Sequence, residues 1–347
     1  MLTFYNEHHA QHEGRAAIGR GELVPCSEKP ERVAMVLKEC ERRGLGAIVT
    51  PHGVPLMTLE RVHSPRYLHF LRTAWSEWLA LDPANAGKDA FPAVWPVRTL
   101  RSDIEPGNFC ARLGLYSMDC GTPLTAGTWV AAKTGADCAV NAAHALQRGE
   151  RGTFALTRPP GHHAGSDFFG GSCFLNNAAL AAQHLLDDGR ERVAILDLDY
   201  HHGNGTQTIF YERADVLTVS LHGDPRTEYP FFLGHTDERG AGAGEGFNLI
   251  LPLPRGTGFG AWRRALDVAL QVVDNFAADA LVVPMGLDTF EGDPISGFTL
   301  QSDDYRVIGA ALASAGLPTV FTFEGGYAVD AVGVNAVNLL EGFQRAG

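Results

Sequence analysis

From about residue 150 onward, short apolar runs rich in β-forming residues alternate with stretches patterned for helices, and this alternation constrains the chain more than any other feature. The runs are FALTR (154–158), VAILDLD (193–199), VLTVSLH (216–222), FNLILPL (247–253), ALVVPMG (280–286) and TVFTFEG (319–325). In NNAALAAQHLLDDG (176–189) and AWRRALDVALQVVDNF (261–276) the apolar residues recur at helical spacing, and the first opens on Asn and closes on Gly. Strands that are apolar on both faces need cover on both sides. Helical connections supply it, so the pattern predicts a parallel sheet between two helical layers. AIVTP (47–51) and the LTFY start add two further strands.

No internal repeat and no linker divides the 347 residues, and 45% hydrophobic content is enough for one large α/β domain over 1–347. One stretch breaks the rhythm. Residues 82–127, rich in Pro and Gly, form a long insert between a helical segment (66–81) and a helix starting near Thr128. Irregular segments of that length are either functional or mere solvent loops. The formal net charge is −12 with no block of Lys and Arg, which argues against nucleic acid; an acidic surface favours encounter with cationic ligands, although a solvated surface with no partner is the commoner case. The six cysteines form no CxxC pair, the N-terminus has no apolar core of signal-peptide length, and no apolar run is long enough to span a membrane. The expected compartment is a reducing cytoplasm.

Four strand ends carry the chemistry. VAILDLDYHHGNG runs an apolar strand into Asp197, Asp199, His201, His202 and Asn204. Side chains two apart share a face of a strand, so Asp197, Asp199 and His201 are expected to meet at its C-terminal end, where open α/β sheets bind ligands. Burying two carboxylates and an imidazole is costly unless they are hydrogen-bonded or hold a metal. ALVVPMGLDTFEGDP places Asp288 after a second buried run. Asp199, His201 and Asp288 make a three-ligand N/O set with an open position, suited to zinc, iron or cobalt. Alone, Asp288 reads more often as a helix N-cap; paired with Asp199 and His201 it reads as a ligand. In RPPGHHAG, His162 and His163 follow a rigid Pro-Pro-Gly turn and supply a base and an acid. In FTFEGGYAVD, Tyr327 follows two glycines as a candidate hydrogen-bond donor to an oxyanion. GAGAGEG (240–246) lacks the spacing and the preceding strand of a dinucleotide motif, and Cys173 beside Phe174 reads as a buried, inert thiol.

Taken together, these motifs resemble the arginase and histone-deacetylase superfamily over nearly the whole chain. They are most similar to the bacterial acetylpolyamine amidohydrolases, through ELVP (22–25), RPPGHHAG, CFLNNAALAAQ (173–183), DLDYHHGNGTQTIFYER, SLHGDP (220–225) and DTFEGDPIS (288–296). The resemblance implies a three-layer α/β/α fold with an eight-stranded, mostly parallel sheet, and one zinc ion per chain on Asp199, His201 and Asp288. It implies that His162 and His163 form a tandem pair oriented by Asp197 and Asn204, and that Tyr327 polarises the substrate carbonyl. A carboxylate partner raises an imidazole's pKa and an amide does not, so His163 is the expected base and His162 the fixed positive charge.

Further implications are a potassium site built from Asp197, Asp199, His201, Ser220 and Leu221, and a homodimer in which the insert packs across a twofold axis and narrows the mouth of the site. Two-manganese relatives need a carboxylate where this chain has Gly286, which favours a single metal. Tyr229 matches one aromatic wall of the acyl tunnel, but the opposite wall is Ser172. Of the acidic residues that receive a polyamine's distal ammonium, Glu105 is matched and the N-terminal one is Ala17. The implied function is hydrolysis of the acetyl amide of a small acetylated polyamine or diamine. The competing readings are a deacetylase of acetyl-lysine in proteins and a catalytically silent metal-binding or ligand-sensing protein.

Overall fold

Eight strands join in one sheet in which every neighbouring pair runs parallel. In this computed structural model all residues are described except Arg20, Arg98 and Gly347, so that one residue of the insert lies outside the description. The first half of the chain contains β1 (Leu2–Phe4), β2 (Ala17–Gly19), β3 (Glu22–Val24), α1 (Pro30–Arg43), β4 (Ile48–Val49), α2 (Leu56–Leu59), α3 (Pro65–Leu81), α4 (Phe109–Leu115), α5 (Thr128–Gln147) and β5 (Gly152–Ala155). The second half contains α6 (Asn177–Asp187), β6 (Val193–Asp197), α7 (Asn204–Phe210), β7 (Val216–Gly223), β8 (Asn248–Leu253), α8 (Phe259–Phe276), β9 (Ala280–Met285), α9 (Asp304–Ser314), β10 (Thr319–Phe323) and α10 (Val329–Ala346).

The sheet order is β4-β1-β5-β10-β9-β6-β7-β8. Every residue of β5, β6, β7, β9 and β10 is buried, which is why these strands read as unbroken apolar runs. Along each strand the side chains alternate between two cores. Ile195, Val282 and Val320 enter the core beneath α3, α5 and α6, whereas Leu196, Val283 and Phe321 enter the core beneath α1, α8, α9 and α10. The three-layer expectation therefore holds, with the sheet wholly parallel. Helix starts follow their sequence signals: Asn176 accepts from the Ala179 N–H at 2.9 Å to cap α6, and Ser64 caps α3 ahead of Pro65. Among the described residues no helix is long and apolar enough to cross a membrane.

Two local readings are corrected. The FALTR strand was expected over 154–158, but β5 ends at Ala155, because Thr157 turns back to the Ala155 carbonyl and Pro159 and Pro160 have no N–H to continue a ladder. The insert is more than a solvent loop. It contains α4, whose Phe109 and Leu113 enter the main core, and Tyr116 stacks on Phe70 with ring centroids 4.7 Å apart. β2 and β3 form a separate hairpin that the sequence pattern had not announced.

The sheet order positions the chemistry. β5, β10, β9 and β6 are four adjacent central strands, and each of the four motifs follows one of them. Their C-terminal ends therefore deliver the motifs side by side, at the edge where parallel sheets bind ligands.

Candidate active site

Asp199, His201 and Asp288 converge so that one ligand atom from each lies within 4.8 Å of the others. β6 stops at Asp197, so Asp199 and His201 sit just beyond the ladder on a loop held by their own side chains. Asp199 Oδ1 accepts from the His201 N–H at 2.9 Å, and Asp199 Oδ2 accepts from the Gly325 N–H at 2.8 Å. His201 Nδ1 lies 3.3 Å from Asp199 Oδ1 and 3.0 Å from Asp288 Oδ2. Asp288 is fully buried and no helix begins after it until α9, which excludes the N-cap reading; its Oδ1 accepts from the Tyr200 N–H at 2.9 Å.

This donor set fits a divalent cation. Two buried carboxylates face one imidazole, so they carry more negative charge than His201 neutralises. Burial, reinforced by the charge of Asp199, pushes the Asp288 carboxyl up to about 7. A metal ion relieves that excess, and the N/O donors suit zinc-class metals. Gly286 packs so tightly that a Cβ there would lie 2.3 Å from the Asp199 Cα. No carboxylate for a second metal fits at that position.

Beside these ligands stand His162 and His163, ring centroids 4.0 Å apart. His162 Nδ1 pairs with Asp197 Oδ2 at 2.9 Å and His163 Nδ1 with Asn204 Oδ1 at 2.7 Å. The consequence is a split pair. Burial opposes a charge on His162, but the Asp197 and Asp199 carboxylates outweigh it and push the imidazole up to about 10. Burial, with the charge of His162 adding to it, holds His163 well below the usual imidazole range. Asn204 directs its amide nitrogen to Met118 Sδ and its oxygen to His163, which assigns the ring proton to Nδ1 and leaves Nε2 as a lone pair. Of the two rings, His163 lines the neighbouring cavity.

Tyr327 lines the same cavity. Its backbone N–H donates to Asp293 Oδ2 at 2.7 Å, and the Arg32 guanidinium stands 4.7 Å from its ring centroid. Burial holds the phenol well above its ordinary pKa, so it stays a donor. The preceding turn must be glycine, since a Cβ at Gly325 would fall 2.6 Å from both Asp199 Oδ2 and Asp288 Oδ2.

The histone deacetylase domain matches residues 26–343. The chain belongs to the histone deacetylase domain family. It is 51% identical over 344 residues to acetylpolyamine amidohydrolase 2 of Pseudomonas aeruginosa and 44% identical over 342 residues to the acetylpolyamine amidohydrolase of Mycoplana ramosa, with 99% of each chain covered in both cases. It superposes on the crystal structure of an acetylpolyamine aminohydrolase from Burkholderia pseudomallei with a TM-score of 0.93 at 38% identity, covering 100% of this chain and 99% of the other.

In this deacetylase-family chain the cavity has a volume of about 900 Å³. Tyr229 and Ser172 both line it, and the Tyr229 ring meets His163 edge-on at 5.0 Å. Glu105 is placed elsewhere. It is exposed on the insert, where it accepts from the Tyr116 hydroxyl at 2.5 Å and does not line the cavity of its own chain. Ser220 lies opposite Asp197 in the β6–β7 ladder, with Leu221 next to it fully buried. Cys173 is fully buried, and burial pushes its thiol well above the usual range.

Several residues escaped the sequence reading. Asp119 accepts from the Tyr229 hydroxyl at 2.8 Å and from the Gly171 N–H at 2.6 Å, tying the insert to the wall. Ile18, Phe168, Phe231 and Phe232 complete the walls. Glu324 accepts from the Gly161 and His162 N–H groups, holding the tandem-histidine loop from below. Glu28 accepts from both Arg32 and Arg158, whose side chains are fully buried. Only Glu324 left a signal, as a charge ending the buried TVFTF run.

Proposed function

We propose that the protein is a zinc-dependent amidohydrolase that removes the acetyl group from small acetylated polyamines or diamines. The observation that carries this reading is the placing of a three-ligand N/O set, a split histidine pair and a phenol around one cavity, in a chain half identical to a protein named for that reaction. Asp199, His201 and Asp288 would hold one zinc ion, which supplies positive charge for the amide oxygen and acidity for the attacking water. His163 takes the water's proton at Nε2 and returns it to the leaving amine. His162, kept protonated by Asp197, stabilises the negative charge of the transition state, and the Tyr327 hydroxyl donates to the amide oxygen as charge develops there. Tyr327→Phe is expected to keep its zinc and to lose about 10²–10³ in kcat, because an oxyanion donor acts mainly in the transition state. Steady-state kinetics with elemental analysis measures both, and unchanged kcat would remove Tyr327 from the reaction.

We assign potassium to the Asp197, Asp199, His201, Ser220 and Leu221 site as a structural ion. The pairing of Ser220 opposite Asp197 in the β6–β7 ladder supports it. The reading includes a homodimer. Val94, Val97, Leu100 and Ile104 of the insert are all more than half exposed, an apolar patch suited to a self-association surface. A second copy would narrow a cavity wider than an acetylated diamine needs, and its Glu105 would reach the substrate's distal ammonium from across the axis. The cavity's width on the single chain equally favours an acetyl-lysine peptide, so the discriminating experiment compares N-acetylputrescine, N-acetylcadaverine, N-acetylspermidine and an acetyl-lysine peptide, with light scattering alongside. The expected result is a dimer that prefers an acetylated amine, with Glu105→Ala raising KM more than it lowers kcat, the pattern of lost uniform binding. A monomer fastest on the peptide would overturn it in favour of protein deacetylation.

A further inference from the structure

A second group of metal-ligating side chains stands at the opposite edge of the sheet. His144 lies in the last turn of α5 and His184 in the last turn of α6, with Asp188 capping α6. α5 leads into β5 and α6 into β6, so both helices end at the N-terminal edge of the sheet, whereas the active site occupies the C-terminal edge. We propose that His144, His184 and Asp188 form a second divalent transition-metal site that clamps α5 to α6, independent of the catalytic centre.

Three observations carry this. One ligand atom from each residue lies within 4.8 Å of the others, with Asp188 Oδ2 at 3.0 Å from His184 Nε2 and 4.0 Å from His144 Nδ1. Bonds of about 2.0–2.2 Å in a tetrahedral zinc shell place ligand atoms roughly 3.3–3.6 Å apart, inside that range. The His184 Nε2 atom is buried and has no hydrogen-bond partner among the described residues. The Asp188 oxygen at 3.0 Å is near it without hydrogen-bond geometry, the arrangement of two ligands turned toward a shared third atom rather than toward each other. Finally, two helix C-termini meet here, and their partial negative charges favour a cation.

The neighbouring groups leave Asp188 available. Arg61 is engaged with Asp187 through two bonds of 2.8 and 3.0 Å, and Gln183 donates to Asp187 as well. The His144 side chain is 52% exposed, so an ion has a path in and water can complete the shell. Two imidazoles and one carboxylate select a zinc-class ion over magnesium or calcium, which take all-oxygen shells.

Zinc is the probe, and a cross of variants separates the two sites. After equilibrium dialysis against micromolar zinc, the wild-type protein should hold two equivalents per chain by elemental analysis. His184→Gln, which keeps a polar side chain of similar reach, should hold one with unchanged kcat/KM, and His201→Ala should hold one without activity. Zinc should raise the Tm of His201→Ala and leave the Tm of the His184→Gln/His201→Ala double variant where it was. A wild-type protein with one equivalent, or a His184→Gln protein with two, overturns the proposal while leaving the catalytic reading standing. Loss of zinc only in His184→Gln, with His201→Ala keeping both equivalents, would instead defeat the catalytic assignment.

Discussion

Asp288→Ala protein, dialysed alongside the wild type, is expected to hold one equivalent of zinc fewer and to hydrolyse acetylated amines no faster than the uncatalysed background. The reason is geometric. Asp288 supplies one of three ligand atoms, and its oxygen lies 3.0 Å from His201 Nδ1, so its loss leaves a two-ligand site. Ala also removes the acceptor for the Tyr200 N–H, which could loosen the loop for reasons unrelated to metal. Asp288→Asn is therefore the companion variant: it keeps the shape and the hydrogen bond but not the negative charge. Both should lose the same equivalent of zinc, measured by elemental analysis on folded protein. Full occupancy in Asp288→Asn and Asp288→Ala would sink the ligand assignment.

His163→Ala is expected to cost about 10²–10⁴ in kcat, the range for losing a positioned general acid and base, with metal content intact. Its effect should be at least as large as that of His162→Ala, since His163 lines the cavity and carries the free Nε2 lone pair, while His162 is turned to Asp197 behind it. The comparison must be made per folded molecule. His162→Ala leaves the buried Asp197 carboxylate without its partner, and removing one member of a buried pair typically costs about 3–5 kcal/mol of stability. Denaturant titration supplies that correction. Near-normal turnover in His163→Ala would overturn the assignment of the base.

The legibility of this protein differs between its layers. Strands β5, β6, β7, β9 and β10 were readable because they are buried along their whole length and so are mostly apolar, a signature that is local. Their ends were less readable: β5 stops at Ala155 although FALTR continues, because the prolines at 159 and 160 and the turn at Thr157 decide where pairing ends. The short helix α4 escaped notice because seven residues give periodicity little to work on. The ligand residues were visible as charges at the ends of apolar runs, where burial without a purpose is costly. Asp119 and Glu28 showed nothing comparable. Asp119 meets Tyr229 at 110 residues' distance, and Glu28, beside its near neighbour Arg32, meets Arg158 at 130.

What the sequence by itself determined is the set of parts: an alternation that demands a two-sided parallel sheet, four strand ends loaded with ligating and titratable groups, and motifs specific enough to place the chain in its family. What only the tertiary structure decided is their arrangement. The order β5-β10-β9-β6 brings motifs from residues 162 to 327 to one edge, and it packs Gly286 so close to Asp199 that a Cβ there would lie 2.3 Å from the Asp199 Cα. The cavity wall likewise unites Ile18, Phe168 and Phe232, and the surface cluster at His144 joins the ends of two helices. Local pattern reports what each segment buries. Which segments become neighbours follows from the crossovers and the packing of whole helices against the sheet, quantities that no window of sequence contains.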